Sequence, residues 1–203
     1  MPYVLTVDQR ASRDAADEVD RTIELLTNTP DLTFVLPFAR TVGDEFQGLL
    51  DDPVSVLGAI LTLMRTQVWH VGLGIGPVDL PLPEDGDPRR ARGAAFFAAR
   101  DAVDEAKADP HHLAVSAPGA PDEAHDVKAV LDLLDTVRQA RTAAGWEVVD
   151  LAAAGLTQAA SAARLGISRQ AVQQRLRAAG WAAEDSVRPS LVRLLARAEG
   201  ASR

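Results

Sequence analysis

The chain has 203 residues, 47% of them hydrophobic, which is enough for a packed core in one large or two modest domains and excludes wholesale disorder. It contains no cysteine, which excludes disulfides and thiolate metal sites. The net charge of −8 argues against a nucleic-acid partner, but residues 1–125 carry 10 Lys/Arg against 21 Asp/Glu, while from Arg164 onward the count is 8 against 3.

The first elements follow a simple rhythm. The apolar run Tyr3–Val7 ends in Asp8 and reads as a buried strand. Ser12 is placed to cap a helix over Arg13–Leu26, with Val19, Ile23 and Leu26 on one face. Asn28–Asp31 is a turn. Strands are predicted over Phe34–Arg40 and Phe46–Leu50, joined by the tight hairpin Thr41-Val42-Gly43-Asp44-Glu45 with Gly43 at the special backbone position. Pro53 starts a helix with Val56, Leu57, Ile60, Leu61 and Met64 inward. Trp69–Val78 is a strand whose alternating glycines admit a close approach by another backbone or a ligand. A Pro-, Asp- and Gly-rich loop over Pro81–Arg90, a helix over Arg92–Lys107 and a strand over His112–Ala117 follow. In the loop's basic run, Arg89, Arg90 and Arg92 suit either phosphates or a solvated helix start.

The predicted order β-α-β-β-α-β-α-β implies an α+β domain over residues 1–118, one sheet covered by helices on one face. Residues 119–126, in the stretch SAPGAPDEAHD, read as a linker by composition. Residues 127–203 read as an all-α domain. Its first helix, Val127–Ala143, carries the stripe Val127, Val130, Leu131, Leu134 and Val137, and its closing helix runs from Asp185 or Ser186 to Ala198.

Within that domain, residues 157–179 have the pattern of a helix-turn-helix. Thr157 caps a first helix whose inner face is predicted to be Ala160, Ala163 and Leu165. Gly166 tolerates the positive φ of the sharp turn, and Ile167 plugs the gap. Ser168 caps a second helix that buries Val172, Leu176 and Ala179. Arg169, Gln170, Gln173, Gln174, Arg175 and Arg177 then face outward. Arg and Gln pair bidentately with guanine and adenine edges in the major groove of double-stranded DNA. Arg169, Gln170, Gln173 and Gln174 are the expected base readers, and Arg164, Ser168, Arg175 and Arg177 the expected phosphate holders. A homodimer is expected, because two such helices double the readout; the apolar stripe and the first domain are the two surfaces available for it.

The first domain also carries a resemblance. Asp8 at the end of strand one, Val42-Gly43-Asp44-Glu45-Phe46 at the hairpin and His70-Val71-Gly72-Leu73-Gly74-Ile75-Gly76 in the later strand look like the ferredoxin-like nucleotide cyclase palm. That is the fold of class III adenylate cyclases and GGDEF diguanylate cyclases. Palm plus C-terminal helix-turn-helix resembles the SatD family of small bacterial proteins over nearly the full length. The resemblance implies that Asp8 and Asp44 hold Mg²⁺ on a nucleotide, with Glu45 the next acid. The alternative for the three acids is local hydrogen bonding at a strand end and a turn. Val42 stands where the cyclase pattern has its first glycine, and Phe97 where the class III pattern has an Asn. These departures imply a catalytically silent domain used for dimerisation or ligand sensing, in a cytoplasmic transcriptional regulator. The competing reading is an active nucleotidyl or dinucleotide cyclase with a DNA-binding appendage.

Overall fold

The structure, a computed structural model, describes residues 2–12 and 15–202. It is a mixed α+β chain whose five strands form one sheet in the order β2-β3-β1-β4-β5. The elements occur as β1 Tyr3–Gln9, α1 Val19–Thr27, β2 Leu36–Arg40, β3 Glu45–Leu50, α2 Pro53–Thr66, β4 Trp69–Ile75, α3 Ala94–Ala106 and β5 Leu113–Ser116. Their order is the one read from the sequence. The central strand β1 pairs antiparallel with both β3 and β4, and β5 adds parallel to β4. The chain divides into two compact units, one of residues 1–132 with 191–203 and the other of residues 133–190.

In the first unit, the glycines of β4 set the packing. A Cβ on Gly72 or Gly74 would collide with backbone atoms of Ala95, Ala99 and Val103 in α3. The helix presents Ala95, Ala98, Ala99, Ala102 and Ala106 there, all buried. So the visitor that the glycines admit is another backbone. Because side chains alternate along a strand, Trp69, Val71, Leu73 and Ile75 point the other way, and they are buried too. On that side α1 packs on β2 and β3, and α2 packs on β3 and β4. Phe34, Phe38, Phe46 and Trp69 form an edge-to-face chain with ring centroids 5.1–5.6 Å apart. The expectation of helices on one face is therefore corrected: small residues let α3 lie on the second face as well.

Three boundaries also differ. Helix α1 starts at Val19, because the Gln9 side chain accepts from Glu18 N and donates to Ala16 O, holding that segment off the helix. Arg13 and Asp14, where the predicted helix begins, lie outside the described residues. The segment read as a linker is helical: α4 runs Pro121–Gln139. Proline suits a first helical position, and Asp122 and Glu123 in the first turn complement the helix dipole. The apolar stripe of α4 is mostly covered by its own chain, with Val127, Leu131 and Leu134 buried and Val130 and Val137 half-buried. The second unit continues with α5 Ala143–Ala153, α6 Gln158–Leu165, α7 Arg169–Ala178 and the start of α8 Trp181–Ala201. The closing helix begins four or five residues before the expected Asp185 or Ser186, directly after Gly180, whose φ is +64°.

Gly74→Ala should destabilise the protein by about 3 kcal/mol or more, because the added methyl meets α3 backbone that cannot repack. Gly200→Ala, a helical site with open space around it, should be neutral or slightly stabilising. Urea denaturation midpoints of the two variants check this, and equal midpoints would contradict it.

Candidate nucleic-acid interface

The second unit builds a three-helix core from α5, α6 and α7, which pack mutually. Val148, Ala162 and Val172 are its buried centre, with Leu165, Ile167 and Leu176 packed against them. Both turn helices are capped as the sequence indicates. Thr157 Oγ1 accepts from Ala160 N at 3.2 Å, and Ser168 Oγ accepts from Ala171 N at 3.1 Å. Gly166 closes α6 at φ +65°, and Ile167 N donates back to Ala162 O at 3.1 Å. The inner face of α6 is rotated from the expected one. Ser161 and Ala162 are buried, whereas Ala160 and Ala163 are exposed. All four residues are small, so hydrophobicity alone did not mark which pair meets α5 and α7.

Helix α7 presents Arg169, Gln170, Gln173, Gln174 and Arg177 to solvent, with Arg164 and Ser168 exposed on the preceding turn. The α7 set is continuous on the outer side of one helix and includes two cationic and three amide side chains, and Arg164 on α6 adds a third cation. Arg175 is the exception: it is half-buried, and its Nη1 lies 3.3 Å from Glu147 Oε2 on α5. At the C-terminal end of α7, residues near the ends of several helices meet around one buried acid, Glu184. Arg138 Nη1 and Arg188 Nη2 donate to its Oε1 at 2.7 and 2.6 Å, and Arg141 Nη2 lies 2.6 Å from Oε2. Burial alone would raise Glu184, but Arg138, Arg188 and Arg141 hold it below the usual carboxylate value. Burial pulls Arg138 down to about 10 against the attraction of Glu184, so it stays charged at neutral pH. The guanidinium carbons of Arg138 and Arg141 sit 4.9 and 4.7 Å from the Trp146 ring centroid. Arg141 Nε also donates to Ala179 O at 2.7 Å, at the end of α7. This set was not singled out from the sequence; charges beside the apolar stripe and near two tryptophans were the available signal.

The acids of the first unit are brought near one another. Asp8 and Glu45 are paired residues on β1 and β3, Asp44 precedes Glu45, and His70 is opposite Asp8 on β4. Asp8, Glu45 and His70 share the face on which α3 lies. Glu45 is buried and engaged: Arg100 of α3 binds both its carboxylate oxygens, and Thr41 Oγ1 donates to Oε1 at 2.5 Å. Lys107 Nζ stands 3.8 Å from Asp8 Oδ2. Arg100 thus takes up both carboxylate oxygens that Glu45 would offer a nucleotide-bound Mg²⁺, and among the described residues no group of three or more His, Asp or Glu is arranged to hold a metal ion. The arrangement does not fit a metal-triphosphate site that includes Glu45. Val42 and Phe97 are both exposed. In the loop, Arg89 pairs with Asp87 and Arg90 with Asp85 at 2.6 Å each.

No family model matches the chain, and neither does any curated protein or any solved structure. Among the described residues no helix is long and apolar enough to cross a membrane.

Burial lifts Asp8 above its ordinary value of 3.8; Lys107 opposes this, and Asp44, Glu45 and Asp104 add repulsion. The native state therefore binds a proton more readily than the unfolded chain, and charged Asp8 costs stability at neutral pH. Asp8→Asn should raise the urea midpoint at pH 7, with the gain shrinking as pH falls through the folded-state value and gone below 3.8. A lower midpoint at pH 7 would show that attraction to Lys107 outweighs burial.

Proposed function

We propose that this chain is a sequence-specific DNA-binding protein, a bacterial transcriptional regulator that inserts α7 into the major groove. The observation that carries the reading is the outer face of α7. Arg169, Gln170, Gln173, Gln174 and Arg177 are exposed on a helix held by two capped turns, and no fold requirement explains their chemistry. Arg169 and Gln170, at the N-terminal end, with Gln173 and Gln174 one turn on, read base edges. Arg164, Ser168 and Arg177 hold phosphates. Arg175, engaged with Glu147, supports the helix more than it meets the DNA.

The distribution of charge supports the same reading. The unit of residues 133–190 holds 7 Lys/Arg against 5 Asp/Glu, and the remainder of the chain 14 against 24. The helical unit is thus the compact unit of the two with a net positive charge, which attracts phosphate. A ten-residue helix reaches only a few base pairs, so the functional species is a homodimer on two half-sites about 34 Å apart. In keeping with the SatD resemblance, the first unit is a nucleotide cyclase-like palm. The strand order β2-β3-β1-β4, with β1 antiparallel to both neighbours, supports this. The palm is catalytically silent: Val42 and Phe97 stand where the cyclase pattern has a glycine and an Asn, and Arg100 and Thr41 engage Glu45, the next acid of the signature. It serves dimerisation, or senses a ligand whose binding shifts DNA affinity only by its preference for one arrangement of the protein.

Binding of the full-length protein to genomic fragments and to random duplexes, followed by fluorescence anisotropy, tests the reading. Wild type should prefer a subset of fragments. Arg169→Ala or Gln173→Ala should weaken that preferred binding by about 1–3 kcal/mol and relax the preference. Arg177→Ala should weaken all duplexes alike and reduce the salt slope by about one. Equal affinity for every duplex, or an unchanged preference in both base-reading variants, would overturn it. Turnover of ATP or GTP to a cyclic product with Mg²⁺ or Mn²⁺ would replace the silent palm with an active one.

A further inference from the structure

We infer that Arg141 is the positioning residue of the recognition helix: it fixes where α7 ends and thereby how the helix meets DNA. The inference rests on the DNA-binding reading and adds a determinant that touches no DNA. Three contacts converge on this one guanidinium. Its Nε donates to the Ala179 carbonyl at 2.7 Å, at the C-terminal cap of α7. Its Nη2 lies 2.6 Å from Glu184 Oε2 on α8. Its plane lies over Trp146 of α5, with Cζ 4.7 Å from the ring centroid. The side chains of Arg141 and Glu184 are both fully buried.

The chemistry suits the task. The last carbonyls of a helix have no intrahelical partner and carry the negative end of its dipole, so a buried cation there is favourable in two ways. A guanidinium has several donors in one rigid plane, so it can bind the Ala179 carbonyl and a carboxylate together, whereas an ammonium on a flexible stem cannot hold that geometry. The opposite end of α7 is set by Ser168. The helix is thus held at its N-terminus by a cap and at its C-terminus by Arg141, while its outer face stays free. At the C-terminal end Val137 also fixes the exit, since a Cβ on Gly180 would collide with it. A small tilt of α7 displaces the amide and guanidinium groups from bidentate geometry at base edges, while phosphate contacts by flexible arginines tolerate it.

The test uses the full-length protein and Arg141→Met. Glu184 keeps Arg138 and Arg188 in this variant, so no buried carboxylate is stranded. The preference for a selected duplex over a random one should fall by roughly tenfold or more, while affinity for random duplex and its salt slope stay at the wild-type values. Hydrogen exchange without DNA should quicken at the last turn of α7 before the rest of the unit. Arg141→Lys, which retains the charge and loses the double engagement, should show the same pattern to a lesser degree, and it stands in if the methionine variant does not fold. An unchanged preference with unchanged exchange at α7 would overturn the inference, and so would exchange that quickens uniformly across the unit. If wild type prefers no duplex at all, the DNA-binding reading fails, and the exchange pattern alone decides whether Arg141 positions α7.

Discussion

The backbone of α3 lies directly against the backbone of β4, and much of the first unit follows from that packing. It requires Gly72 and Gly74 on the strand and alanine at 95, 98, 99, 102 and 106 on the helix, because any larger side chain would lift the helix away. Small residues there bury little area each, but they bring many backbone atoms together. The same approach carries Arg100 to Glu45 and Lys107 to within 3.8 Å of Asp8. Acids at the ends of adjacent strands would otherwise repel, and α3 supplies the charges that balance them. The resemblance to cyclases at Asp8, Asp44 and Glu45 therefore coexists with a helix engaging the face those acids would use.

The second unit relies on a different constraint. Its helices are short, so little of their stability comes from their own length. Ends carry the burden instead: Thr157 and Ser168 cap two N-termini, Gly166 and Gly180 close two C-termini at positive φ, and the arginines around Glu184 join what the caps leave open. A buried ionic cluster is a weak source of net stability, because desolvating each charge offsets most of the attraction. What it supplies is geometry, since buried charges of opposite sign compensate one another only when held close together. That suits the proposed role of α7, which needs side chains presented at fixed positions.

The parts legible in the sequence were those governed by local rules. Alternation and turn chemistry marked all five strands in order, and the caps of α6 and α7 were named to the residue. The glycines of β4 signalled close approach, but only the tertiary structure shows that the visitor is α3. What escaped was decided by interactions distant in sequence. SAPGAPDEAHD has the composition of a linker, yet proline followed by Asp122 and Glu123 also begins a helix, and packing selected the second outcome. Alanine-rich α6 gave no contrast between Ala160 and Ala162, so the inner face was misassigned. Arg141 and Glu184 are separated by 43 positions, and no local pattern pairs them.

The central claim is that α7 reads base edges in the major groove. Methylation of guanine N7 by dimethyl sulfate reports on that groove directly. On a duplex selected from a random library by the full-length protein, the account predicts protection of particular guanines in each of two half-sites. It also predicts loss of protection at one guanine per half-site in Arg169→Ala while the others remain protected at saturating protein. Guanines as reactive with the protein bound as without it, or a protection pattern indifferent to Arg169, would contradict it.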